Sequence, residues 1–103
     1  MFWIIYQEDR EGAQDIRDAT REAHLAYLDA HEDIVFLGGA LLADDARRIG
    51  SCLIINVPDR ASAERWSENE PFRKAGLFSN VKITRMRKGQ YNPSAAPKTA
   101  EGD

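Results

Sequence analysis

Short, dense apolar runs alternate along the chain with longer polar stretches, and the period of each run predicts its element. Residues 2–6, FWIIY, are β-branched and aromatic and predict a first strand. The polar stretch EDREGAQD interrupts the pattern. From about Gly12 to His31 the chain is rich in Ala, Glu, Asp, Arg and Leu and has no proline, which predicts one long helix. Residues 33–44, DIVFLGGALLAD, form a second apolar run. Its paired glycines disfavour a helix and suit a strand whose backbone is bulged or closely approached. A polar turn is expected over 44–50, then a third strand in SCLIINV (51–57), dense in β-branched residues. Pro58 and Asp59 stop that strand, and Asp59 is a good N-cap for a helix from Arg60 to about Asn69. EPFRKAGLF (70–78) predicts a compact turn or short helix, with Pro71 at a first helical position and Gly76 to end it. VKITRMRK (81–88) alternates as a fourth strand. The stretch from Gly89 onward has prolines and few large apolar groups, so residues 89–103 are expected to be a flexible tail beside a single domain over 1–88.

The order β-α-β-β-α-β predicts a ferredoxin-like α+β sandwich: a four-stranded antiparallel sheet with two helices on one face. The first strand places Phe2, Ile4 and Tyr6 on one side and Trp3 and Ile5 on the other. Both sides of the sheet are therefore apolar, and helices cover only one. A bare apolar face of that size is more than monomers usually tolerate. A homodimer packed through the uncovered sheet faces is expected.

The chain has 103 residues, enough for one domain with a small core. Its net charge of -3 argues against nucleic acid as a partner, since phosphate backbones require a basic surface. No apolar run approaches bilayer length, so no membrane partner is expected. The first residues, MFWIIYQED, lack a basic leader and read as a strand rather than a signal peptide. Cys52 is the single cysteine, sits in a strand-like context that suggests burial, and leaves the cytoplasm as the expected compartment.

The residues with chemical potential lie on the first helix, in REAHLAYL (21–28). On a helical wheel Asp15, Asp18, Glu22 and Asp29 fall opposite His24, and Ile16, Ala19, Ala23, Tyr27 and Ala30 form the expected apolar stripe. Arg17, Arg21, Leu28 and His31 share the His24 side, which puts His24 on the border between the buried stripe and a basic row. Arg17, Arg21 and His24 are spaced i, i+4 and i+7 along one edge, an arrangement that suits an anionic small molecule held by arginine forks. A histidine beside an apolar stripe is more often a satisfied structural residue than a catalyst, so the helix alone leaves its role open. His31 is sufficiently explained by the helix dipole at a C-terminus. Arg17 reads equally well as part of a solvated face.

Taken as an ordered set, REAHLAYL on the first helix, LGGALL (37–42), GSCLII (50–55), ASAERW (61–66) and EPFRKAGLF (70–78) resemble the YciI-like (YCII-related) family of small ferredoxin-like proteins over about residues 2–87. The resemblance implies dimeric enzymes or enzyme-like proteins with a histidine–carboxylate pair in a pocket between helix and sheet. The histidine corresponds to His24. The family's acid is typically an aspartate directly before the proline of an Asp-Pro-aromatic motif, and here that position is Glu70, one methylene longer. One branch of the family eliminates chloride from a chlorinated hydroxyquinol. Proteins of similar shape include the muconolactone isomerases, so proton transfer on small anionic aromatic or lactone-like compounds is the chemistry implied.

On that basis Glu70 is expected to orient His24, and His24 to act as general base, in an elimination such as dehydrochlorination or in an isomerisation by proton shift. A carboxylate on one ring nitrogen fixes the tautomer, and an imidazole has an ordinary pKa suited to base catalysis near neutrality. Arg21 is expected to steady an oxyanion, Ser51 to add a hydrogen bond, Gly38 and Gly39 to admit the ligand close to the second strand, and Phe72 to wall the site. Trp66 is better suited to core packing. No phosphate-binding glycine loop accompanies a βα turn, and the two histidines lack metal-ligand spacing, so neither a nucleotide cofactor nor zinc is expected. The alternative is a non-catalytic small-ligand binder or accessory dimeric module. The discriminating feature is whether His24 and Glu70 come within hydrogen-bond reach and face a pocket.

Overall fold

A computed structural model describes residues 1–97 of the chain. The elements are β1 (Phe2–Asp9), α1 (Gln14–Ala30), β2 (Val35–Leu42), β3 (Arg48–Asn56), α2 (Arg60–Glu68), α3 (Pro71–Lys74) and β4 (Phe78–Met86), followed by a single 3-10 turn over Pro93–Ala95. The strands form one antiparallel sheet in the order β2-β3-β1-β4, the ferredoxin-like α+β arrangement.

Most boundaries move by a few residues from their expected positions, each for an identifiable reason. β1 continues through the polar residues Gln7, Glu8 and Asp9 because β3 pairs with it as far as Glu8 and β4 as far as Asp9. β3 starts at Arg48, inside the stretch expected to be a turn, because Arg48 pairs with Leu42 across the β2–β3 ladder. The turn itself is compressed around Ala46, whose φ of 69° is left-handed. β4 begins at Phe78, where it pairs with Asp9 across a register shift. The short helix expected near Pro71 is a separate third helix. Glu70 caps it, accepting from the amides of Phe72 and Arg73, and Gly76, with φ 77°, lets the chain turn out. Asp59 caps α2 as expected, accepting from the Ser62 amide.

The pleat of β1 sends Trp3, Ile5 and Gln7 toward the helices. Ile5 lies opposite Leu53 on β3 and Ile83 on β4, so three aliphatic side chains cross the sheet in one row. Trp3, Ile5, Leu53, Ile55 and Val57 pack against Ala63 and Trp66 of α2 to form the main core. Trp66 therefore has the packing role expected of it. A second cluster of Ala13, Phe72, Leu77 and Phe78 closes the end of the sandwich next to α1 and α3. Each buried Leu, Ile or Phe contributes on the order of 1.5–3 kcal/mol from burial.

The opposite face of the sheet carries no helix. Tyr6, Leu37 and Met86 are exposed there, while Phe2, Ile4 and Ile54 are half-buried. Phe36 lies across Phe2 with ring centroids 5.4 Å apart, and Tyr91, beyond β4, packs in turn on Phe36 at 5.8 Å. Cys52 is on this face and only half-buried, which corrects the burial expected for it: its partners in register are Tyr6 and Gly39, and neither covers it. The expected flexible tail begins here as an exposed segment through residue 97, and the remainder, 98–103, lies outside the described residues.

Candidate active site

α1 turns a different face inward from the one its hydropathy predicts. Ala19, Ala23 and Ala30 of the expected apolar stripe are exposed, whereas Ile16, Arg17, Thr20, His24, Tyr27, Leu28 and His31 are buried or half-buried. The inward face is thus rotated so that His24 is at its centre rather than its border. The cause is Arg17. Its Nε and Nη2 donate to the two carboxylate oxygens of Asp9 at 2.9 and 2.8 Å, and Nη2 also reaches the Gly50 carbonyl at 3.1 Å. A bidentate pair with a third acceptor satisfies a buried guanidinium, and Arg17 is only 5% exposed. The solvated-face reading of Arg17 is therefore corrected: this residue pins α1 to the end of β1 and to the start of β3. Gly50 lets β3 lie close against β1 at this point, because a Cβ there would collide with the Gln7 carbonyl.

With α1 set in this way, His24 meets α3. His24 Nδ1–H donates to Glu70 Oε1 at 2.5 Å, and the two side chains are 11% and 1% exposed. The same Glu70 oxygen accepts from the Phe72 amide at 3.1 Å, and Oε2 accepts from the Arg73 amide at 3.4 Å. Three donors satisfy a carboxylate that burial would otherwise penalise heavily. The extra methylene of glutamate is taken up by this geometry: the side chain curls back over its own helix start and still reaches the imidazole. The Phe72 ring stacks on the His24 ring at 3.9 Å with planes 15° apart, and the Arg17 guanidinium lies 4.9 Å from the Phe72 centroid. Arg73 in turn bonds Ser67 on α2 at 2.8 Å, which fixes α3.

Glu70 is felt further along α1. The Tyr27 hydroxyl has a pKa above its ordinary value, mainly because it is buried and also because the Glu70 negative charge opposes ionisation. That hydroxyl donates to the Trp66 carbonyl at 2.8 Å. His31 accounts for itself at the end of the helix, where its Nδ1–H donates to the Tyr27 carbonyl at 2.7 Å and its ring packs on Tyr27.

A cleft of about 340 Å³ opens between α1 and the β2–β3 side of the sheet, a size typical of small-molecule sites. His24, Arg21, Gly38, Gly39, Ser51 and Phe72 all line it, and Glu70 stands behind His24, so the structure brings every expected site residue to one place. The cleft is graded. Gln14, Arg17, Asp18, Arg21 and Arg48 surround one end, and Leu25, Leu28 and Leu53 the other. The glycines do not serve the cleft in the same way. A Cβ at Gly38 would strike the Leu53 side chain, so this glycine seats Leu53 in the core, whereas a Cβ at Gly39 would meet nothing within 4 Å. Arg48 is a lining residue that sequence reasoning missed, because it falls in what reads as a polar turn. Pairing with Leu42 on the edge strand was the signal that places it. Among the described residues no group of three or more His, Cys, Asp or Glu side chains converges as a metal site.

With Nδ1–H committed to Glu70, an uncharged His24 carries its lone pair on Nε2, the ring nitrogen left for the cleft. Such an imidazole can accept a proton from an anionic guest, whose charge Arg21 and Arg48, without a carboxylate partner among the described residues, can balance.

Comparison with known proteins agrees with the fold. Residues 1–87 match the YCII-related domain. Protein YciI of Escherichia coli O6:H1 is 26% identical over 96 residues, covering 85% of this chain and 98% of that protein. An uncharacterized protein of Haemophilus influenzae is 27% identical with the same coverage, 85% of this chain and 98% of its own length. Among solved structures, 5-chloro-2-hydroxyhydroquinone dehydrochlorinase (TftG) of Burkholderia phenoliruptrix, in complex with 2,5-dihydroxybenzoquinone, superposes with a TM-score of 0.80 at 35% identity, over 86% of this chain and 96% of that one. That protein is a dehydrochlorinase with the same fold. On the domain match and these relatives together, the chain belongs to the YCII-related family.

Proposed function

We propose that this chain is a small lyase-like enzyme that uses His24 as general base and Glu70 as its orienting acid. The observation that carries the reading is the 2.5 Å bond from His24 Nδ1 to a nearly fully buried Glu70, beside a cleft of ligand size. A purely structural histidine needs no such arrangement facing a cleft. The substrate class is a small anionic aromatic or quinonoid compound. Arg21 and Arg48 have no carboxylate within ion-pair distance among the described residues, which leaves both guanidinium groups free for oxyanions at the polar end of the cleft. Phe72 and the leucines supply the wall for a ring.

The likeness to TftG supports dehydrochlorination as the reaction. On a keto tautomer of the bound substrate, in which the chlorine-bearing carbon and its neighbour are sp3 and each carry hydrogen, a proton passes from the neighbouring carbon to His24 Nε2, the electron pair it leaves becomes the new C=C bond, and chloride departs with the C–Cl bonding pair. The product is poorer by one HCl, and the imidazolium returns its proton to water. Glu70 stabilises the imidazolium by its charge and holds the ring in register. Base catalysis of this kind supplies roughly 10²–10⁴-fold. Chloride release from 5-chloro-2-hydroxyhydroquinone, followed for the parent chain against buffer, tests the reading. Acceleration above buffer is expected, and a rate equal to buffer would argue against this reaction.

A further inference from the structure

Gln7 and Ser51 face each other across the β1–β3 ladder, on the side of the sheet that carries the helices. Both are buried, at 1% and 3% exposed, where a polar side chain is retained only with partners. Gln7 Nε2 donates to Ser51 Oγ at 2.9 Å. A serine hydroxyl has a single proton, and an oxygen already accepting from an amide keeps that proton for another acceptor. Among the described residues the Ser51 hydroxyl makes no other hydrogen bond, and Ser51 lines the cleft together with His24 and Phe72.

We propose that Gln7 is a positioning residue that turns the Ser51 O–H into the cleft, where it donates to the substrate oxygen that gains negative charge as His24 removes the proton. The inference rests on the reading of His24 as base. In the step, the substrate's bond to hydrogen breaks, an N–H bond forms at His24, and the electron pair delocalises onto that oxygen. Ser51 donates a hydrogen bond and transfers no proton. The substrates are therefore acids conjugated to an oxygen next to the reacting position: enols, hydroxyquinones and polyhydroxylated aromatics. A fixed donor aimed at developing charge contributes mainly in the transition state, because its orientation needs no rearrangement as the charge appears.

Four variants test this with two readouts: chloride release from the chlorinated hydroquinone named above, and binding of 2,5-dihydroxybenzoquinone. Ser51→Ala removes the donor. Gln7→Glu places an acceptor where the amide donated and draws the hydroxyl proton away from the cleft. Gln7→Met frees the hydroxyl to rotate and covers the case in which the buried glutamate prevents folding. The fourth variant combines Ser51→Ala with Gln7→Met. Ser51→Ala is expected to lower kcat by roughly 10²-fold with KM little changed, as for loss of one oxyanion donor. Gln7→Met is expected to lower kcat by a smaller factor, and to have no further effect once Ser51 is alanine. Quinone binding weakens by about tenfold in Ser51→Ala, the value of one charge-assisted hydrogen bond. A Gln7→Met chain with lower Tm and unchanged kcat, or a Ser51→Ala chain that binds the quinone as tightly as the parent, would overturn the proposal. So would a parent that does not bind the quinone. A His24→Gln chain that keeps full turnover, beside a Ser51→Ala chain that loses quinone binding, would instead remove the base assignment and leave the Ser51 donor standing.

Discussion

His24 and Glu70 are 46 positions apart in the chain and 2.5 Å apart in the fold. Glu70 reaches the imidazole only because the same carboxylate starts α3, and α3 is held by Phe72 in the core and by Arg73 on Ser67. One side chain thus joins helix capping to the candidate chemistry, which makes its charge and its shape separable by mutation.

Glu70→Gln keeps the shape and an acceptor but loses the charge, whereas Glu70→Ala loses both. Glu70→Gln is expected to reduce kcat by about 10²-fold or more, since the carboxylate no longer stabilises an imidazolium. Its Tm stays closer to that of the parent than the Tm of Glu70→Ala, which leaves the His24 ring nitrogen and two amides without their acceptor. Equal loss of kcat and Tm in both variants would contradict the separation. Steady-state kinetics and thermal melts on the pair are sufficient.

Arg17 and Asp9 form a buried pair that sets the rotation of α1. Removing one partner leaves a charge without its counter-ion in a water-poor site. Asp9→Ala or Arg17→Met is expected to cost about 3–5 kcal/mol in urea denaturation. The double variant is expected to cost less than the sum, because it leaves no orphaned charge. Additive losses would show that the pair does not hold the helix.

Tyr27 gives a pH test. Its folded pKa is raised above the ordinary 10.0, first by burial and then by the Glu70 charge. The unfolded chain loses the phenol proton at the ordinary value while the folded chain still retains it. The contribution to stability is therefore fully present below about pH 10 and is lost as pH rises through the folded value. Denaturation curves between pH 8 and pH 11, on the parent and Tyr27→Phe, are expected to show a steeper alkaline decline for the parent. Superimposable declines would contradict the assignment.

For the uncovered sheet face we propose a second copy of the chain as the partner. Leu37 is 60% exposed and Phe36 47%, on a face that also carries Tyr6 and Met86. Light scattering at micromolar concentration is expected to give twice the 11.6 kDa chain mass. Leu37→Asp is expected to shift it toward the single chain, by burying a charge in an apolar contact. A monomeric parent would exclude the dimer.

The element order was legible because local rules agreed with the tertiary fold: alternation in FWIIY, β-branching in SCLIINV, Asp59 as a cap and Pro71 as a helix start. The inward face of α1 was not. Hydropathy ranks Ala19, Ala23 and Ala30 above Arg17, but small alanines add little by facing the core, whereas Arg17 has a bidentate partner on β1 that no helical wheel contains. The distance between Glu70 and His24 was equally invisible to periodicity, since it depends on how α3 docks, and only the family resemblance pointed to it. Arg48 escaped notice because edge-strand pairing, not composition, decides that it belongs to β3. Gln7 follows the apolar FWIIY run as a polar residue with no role predicted for it, and its burial follows from the continuation of β1 beyond its apolar residues.

The central claim is that His24 takes the substrate proton. His24→Gln offers the most direct test, since its amide N–H can still donate to Glu70 and so preserve the site around the missing base. Chloride release from the chlorinated probe is expected to fall by roughly 10²–10⁴-fold while Tm stays near that of the parent. A His24→Gln chain that releases chloride as fast as the parent would contradict the account.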